Sequence, residues 1–176
     1  MKNIFFLFVL TVLVSTSSSF YSELNGQSSV NRDTIILAAH EIINETTYCG
    51  LITVDSLGLP KIRTMNAFPV EDDFVIWFAT SRTSRKVREI RSNPNVCVYF
   101  ANHLTVKGYV NINGSASVID NKDLLIQMKR DYWNSIQGWQ DKFVLIKIIP
   151  KSIEIINYKH GLSNDPNTFK VPTISF

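Results

Sequence analysis

Histidine and cysteine are scarce in this chain, at three and two residues of 176. Cys49 and Cys97 have no clustered histidine beside them, which argues against a zinc site. Two readings of the thiols stay open: buried small hydrophobes, or a disulfide in an exported protein. A dominant charge is lacking too. Eighteen Lys and Arg stand against 15 Asp and Glu, for a net +3, and losing Lys2 removes one of those charges. That balance does not mark a nucleic-acid-binding protein. The run Ile4 to Val14, dominated by large apolar residues, falls short of the ~20 residues that span a bilayer. No cysteine stands near the cleavage point to carry a lipid anchor. No internal repeat or low-complexity segment follows the leader, and residues 131–176 contain no arginine.

What is present begins with export chemistry. A positive Lys2, the apolar run and the serine-rich Ser15 to Ser19 have the order of a secretory signal peptide over residues 1–19. An uncleaved N-terminal anchor is the alternative. An exported location, periplasmic or secreted, follows from the first reading, with no stable membrane span once the signal is removed. Residues 20–32 are polar and read as a flexible leader. Residues 33–160 suffice for one domain with a full core. Residues 161–176 read as an irregular tail.

Within the domain, Ile35, Ala39, Ile42 and Ile43 recur at helical spacing, with Asn31 or Asp33 as cap. Tyr48 to Val54 and Leu59 to Met65 flank the turn signal Asp55-Ser56-Leu57-Gly58 and form a hairpin. Phe74 to Thr80 is a strand, Ser81 to Ser92 a helix, and Asn93-Pro94-Asn95 its stop. Val96 to Ala101 and Lys107 to Ile119 are strands, the second bent at Gly108 and Gly114. A helix capped by Asp120 or Asn121 runs to Trp133. Two last strands, Phe143 to Ile149 and Ile153 to Tyr158, flank Pro150-Lys151-Ser152. Short strands joined mostly by tight turns, with helices between them, predict a mainly β small barrel rather than a parallel α/β sheet.

The densest chemistry sits where Trp77-Phe78-Ala79-Thr80-Ser81 runs into Arg82-Thr83-Ser84-Arg85-Lys86. Five cations fall between Arg82 and Arg91, offset only by Glu89. A helix N-terminus offers free N–H groups and partial positive charge. Hydroxyls, a guanidinium and an ammonium added there make a phosphate cradle. The plainer reading is a solvated basic helix face. In Lys61 to Met65, alternation puts Arg63 on the same face as Met65. A charge there needs a partner. It is either an acid such as Glu71 or Asp72, or a bound polar ring.

These segments, taken in order, resemble the pyridoxamine-phosphate-oxidase-like flavoproteins, in the general-stress-protein branch. The resemblance is carried by Arg63-Thr64-Met65, by Trp77 to Ser81, by Ser84-Arg85-Lys86, and by Asn93-Pro94-Asn95-Val96. Tyr99-Phe100, Gly114-Ser115-Ala116 and the closing Ile146 to Pro150 complete it. It covers nearly everything from Asp33 to His160. It implies a split β-barrel binding flavin mononucleotide (FMN) at a homodimer interface. Ser84, Arg85 and Lys86 would grip the phosphate. Arg63, Thr64 and Met65 would line the isoalloxazine, and Thr80 and Ser81 would sit between ring and phosphate. Tyr109, Asn111 and Trp133 to Trp139 are candidates for contacts from the partner subunit.

True pyridoxamine-phosphate oxidases bring basic residues to their substrate from a C-terminal segment, and the arginine-free C-terminus departs from that. The resemblance therefore implies an FMN-dependent oxidoreductase acting on another small molecule. The alternatives are a non-catalytic flavin-binding protein, a haem-binding split barrel using His103 or His160, and a barrel for an apolar ligand. His40, on the first helix, reads as a surface or interface residue.

Overall fold

A computed structural model describes residues 31–105 and 107–176. The expected signal peptide, residues 1–19, and nearly all of the expected leader, residues 20–32, lie outside the described residues. Helix α1, Arg32–Asn44, is capped by Asn31, whose side chain accepts from the Asp33 amide at 2.9 Å. It buries Ile35, Ala38, Ala39, Ile42 and Ile43, the stripe that three- and four-residue spacing demands. Strands β1, Cys49–Val54, and β2, Pro60–Met65, pair antiparallel with Cys49 opposite Met65. Strand β3, Ile76–Ser81, leads into helix α2, Arg85–Ser92. Strands β4, Asn95–Phe100, and β5, Gly108–Ile119, follow.

These strands join the long β6, Phe143–Asn157, in one curled antiparallel sheet of order β2-β1-β4-β5-β6-β3. The protein is thus mainly β with flanking helices, the split-barrel architecture. One apolar core fills the concave side and includes Leu51, Phe78, Val98, Ile112, Ile146 and Ile153 together with the buried stripe of α1. A second packs Trp133 and Trp139 on Leu125 and Leu145, with Trp77 and Phe143 at its margin. Strand β6 runs between the two cores, so Val144, Leu145 and Ile146 are buried in succession. That explains why its sequence lacks clean alternation.

Helix α2 starts at Arg85 rather than at the expected Ser81, which instead ends β3, and three further elements differ from the sequence-based expectation. The two final strands are one. A register shift at Asn113/Gly114 sets Asn113 against Ser152 and Gly114 against Pro150, so Lys151 is the extra residue of a bulge. Pro150, which has no N–H to give to the ladder, thus sits next to the irregularity. Gly114 is required there, since a Cβ would lie 2.6 Å from the Ile149 carbonyl oxygen.

The helix expected to reach Trp133 stops early. Helix α3 spans only Lys122–Gln127. Arg130 then leaves the helical path to donate to Asn66 Oδ1 at 2.8 Å and the Ala67 carbonyl at 2.6 Å. The chain re-forms as a 3-10 turn, Asp131–Ser135, that buries Trp133 completely. A four-residue helix α4, Trp139–Lys142, precedes β6.

Nor is the tail irregular throughout. Thr173–Ser175 forms β7, which pairs with Ser152–Glu154 of β6 and buries Ile174. Two β-formers with a ready edge beside them outweigh the prolines nearby.

Candidate phosphate site

Strand β3 ends at Ser81, and α2 opens three residues later with Ser84 as N-cap. The Ser84 side chain makes no capping hydrogen bond, so it leaves the first amides of α2 available. Its hydroxyl instead lies 3.5 Å from Thr80 Oγ1. Thr80 Oγ1 also accepts from Lys86 Nζ at 2.9 Å. Thr80, Ser84 and Lys86 therefore converge at one corner, as the strand-to-helix reading expects. Lys86 is half-buried and has no acid within ion-pair reach among the described residues. Burial lowers its pKa, and the nearby Arg63 and Arg85 charges add to that, against the pull of Glu89. A cation held in this way attracts an anion.

The arginines meet the same corner through Glu89, which is 5% exposed. Arg63 Nη2 donates to Glu89 Oε2 at 2.7 Å, and Arg63 Nη1 to Thr53 Oγ1 at 2.6 Å. Thr53 is fully buried and donates to the same Glu89 oxygen at 2.5 Å. Arg85 Nε stands 2.9 Å from the other oxygen, Oε1, but outside hydrogen-bond geometry, which leaves that oxygen unsatisfied. Burial pushes the Glu89 carboxyl up. The Thr53 and Arg63 hydrogen bonds outweigh it and hold the group below the ordinary carboxylate value. The partner of Arg63 is thus an acid, but neither Glu71 nor Asp72. Sequence reading missed Glu89 in this role. Its one signal was the four-residue spacing from Arg85, which puts the two on one helix face.

The remaining site candidates are less concentrated. Thr64 is exposed on β2 and Met65 half-buried against the main core. Ser81 is exposed, its hydroxyl 3.2 Å from that of Thr83. Arg82 turns away, paired with Asp120 through both terminal nitrogens. It also donates to the Asp141 carbonyl at 3.1 Å, which ties the β3–α2 loop to α4. A cleft of about 400 Å³ opens just past the end of β2, lined by Cys49, Asn66, Phe68, Phe100 and Arg130 among others. None of the cradle residues lines it.

Trp133 and Trp139 pack together at 5.2 Å inside the second core, not beside the cradle. Tyr109 lies on the outer face of β5, its ring 5.7 Å from Tyr99. The cysteines are both free. Cys49 faces the core and Cys97 the opposite side of the sheet, which rules out a bond between them in this fold. Burial pushes Cys49 up to about 12 and Cys97 to about 11.

The histidines are engaged elsewhere. His160 Nε2 lies 2.6 Å from Glu41, and His40 stacks on Phe74 at 4.3 Å. His103 sits beside Tyr99. Among the described residues no group of three or more metal-ligating side chains gathers, and no helix is long and apolar enough to cross a membrane.

Residues 37–157 match the pyridoxamine 5′-phosphate oxidase family. General stress protein 26 of Bacillus subtilis (strain 168) is 29% identical over 137 residues, covering 73% of this chain and 92% of that protein. The crystal structure of general stress protein 26 from Bacillus anthracis superimposes with a TM-score of 0.58 at 30% identity, covering 69% of this chain and 93% of that one. A pyridoxamine 5′-phosphate oxidase-related, FMN-binding protein of Nostoc punctiforme shares the fold, with a TM-score of 0.55 at 16% identity over 82% of this chain and 96% of that one.

Proposed function

Because this chain belongs to the pyridoxamine 5′-phosphate oxidase family, we propose that it is an exported, homodimeric FMN-binding flavoprotein, and an oxidoreductase acting on a small redox substrate. One observation carries the cofactor reading. A half-buried Lys86, without an acid partner among the described residues, sits with two hydroxyls at the N-terminus of α2, beside the guanidinium groups of Arg63 and Arg85. That donor set fits a terminal phosphate. The FMN-binding relative of the same fold supports the choice of flavin.

In this reading Ser84, Arg85 and Lys86 hold the phosphate, with Thr80 behind them. Thr64, Met65 and Ser81 border the rest of the cofactor. FMN supplies hydride-transfer chemistry when bound. The chain contributes grip, orientation and positive charge. Arg63 is a member of the cradle rather than a free donor to the ring, since both its terminal nitrogens are already engaged. The open cleft next to Asn66 and Phe68 adjoins the end of β2. It gives a substrate room beside the ring that Met65 would border.

The visible spectrum of the purified mature chain tests this. Flavin absorption supports the proposal, whereas Soret-type absorption or a colourless protein that takes up no added FMN would sink it. Alanine at both Arg85 and Lys86 removes two charged donors, each worth roughly 1.5–3 kcal/mol. FMN affinity should fall by about 100-fold or more.

A further inference from the structure

We infer that Glu89 is a positioning residue that prepares the cradle for a doubly charged phosphate and thereby makes the site prefer a phosphorylated flavin over the bare nucleoside. This rests on the flavin reading above. Glu89 is the one carboxylate inside a cluster of three cations, Arg63, Arg85 and Lys86. Without it, three like charges would crowd one corner, with the Arg63 side chain only 17% exposed. Repulsion and poor solvation would then splay the arginines outward. With it, the cluster carries two net positive charges, the complement of a phosphomonoester at neutral pH.

Geometry makes the same point. Arg85 approaches Glu89 through Nε at 2.9 Å, and neither of its terminal nitrogens makes a hydrogen bond to protein among the described residues. A guanidinium whose Nε edge is turned to a carboxylate presents its outer edge to two oxygens of one anion. The Arg85 side chain is 61% exposed and would otherwise lose rotamer freedom on binding. An acid that fixes it beforehand reduces that cost. Glu89 is itself fixed by the buried Thr53 hydroxyl on β1. The strand thus sets the carboxylate, the carboxylate holds Arg63 and draws Arg85 toward it, and Arg85 and Lys86 face the anion.

The test compares FMN with riboflavin, which lacks the phosphate, by flavin-fluorescence titration of the full mature chain and its variants. Glu89→Gln should weaken FMN by about tenfold or more, the scale of a lost charged hydrogen bond, and leave riboflavin within about twofold. Thr53→Val keeps the charge and loosens its orientation, so it should shift FMN in the same direction by a smaller factor. It also serves if the Gln variant does not fold. Unchanged or tighter FMN binding in the Gln variant overturns the inference. So does an equal loss for both flavins, which is what a merely structural role predicts.

Orthophosphate separates this inference from the flavin reading. It should raise the melting temperature of the parent protein and not of Glu89→Gln, whether or not either flavin binds. A parent that binds neither flavin but shows that difference loses the flavin reading and keeps the role of Glu89. Equal orthophosphate responses in parent and variant overturn the role of Glu89, with or without flavin binding.

Discussion

At the scale of single residues, charge is placed by burial as much as by count. Five cations lie between Arg82 and Arg91, and four of them divide among three different jobs. Arg82 pins a loop to Asp120 and the Asp141 carbonyl, and Arg88 closes the helix start on the Thr83 carbonyl. Arg85 and Lys86 are the charged members of the proposed cradle. Glu89 gives this arrangement a pH signature. Its carboxyl is held below the ordinary value in the folded protein, so the unfolded chain binds more protons as pH falls. The stabilisation is fully present above the unfolded carboxylate value of about 4.3 and is lost as pH drops through the lower folded value. Urea midpoints measured across that acidic window should fall with pH in the parent and fall less steeply in Glu89→Gln. Identical slopes would show that Thr53 and Arg63 do not hold the acid as described.

At the scale of elements, close backbone approach decides more than propensity does. Gly108 opens β5 at φ 134°, and a Cβ there would run into the Ile156 carbonyl. Both the backbone conformation and the clash disfavour any side chain, so Gly108→Ala should cost about 2 kcal/mol or more, read as a lower urea midpoint with an unchanged slope. The tail works the other way. Removing residues 171–176 takes away β7, exposes the edge of β6 and loses the burial of Ile174. Burying one such side chain is worth roughly 1.5–3 kcal/mol, so truncation should lower the thermal midpoint. A truncated chain of unaltered stability would show that β7 adds nothing.

At the scale of the whole molecule, the outer sheet face carries a row of half-buried side chains with the exposed Ile62 at its edge. Ile62 is 67% exposed on β2, and its neighbours across the register are Ile52 and then Cys97. Tyr99 and Tyr109 continue the face on β4 and β5. If the proposed homodimer closes over this face, sedimentation should give twice the mature mass. Ile62→Asp should then yield monomers whose main core is intact. A parent protein that sediments as a monomer at all accessible concentrations contradicts the assembly, and with it the idea that each cradle is completed by a partner.

Much of this was legible before any coordinates. The stripe on α1, the β1–β2 hairpin, the Asn-Pro stop and the mainly β class follow from local rules of spacing, turn chemistry and missing donors. Those rules act over a few residues and are written there. The corner of Thr80, Ser84 and Lys86 was readable for the same reason, since strand end and helix start are contiguous. Other features depend on partners distant in sequence, and only the folded chain supplied them. Glu89 meets Arg63 from 26 positions away, Pro150 is accommodated in β6 because Gly114 faces it, and β7 exists because β6 offers an edge. Local pattern settles which segments are strands and helices, because each answers to its own backbone. Long-range packing settles which charges are compensated and which are left to bind, because burial and proximity belong to the assembled sheet.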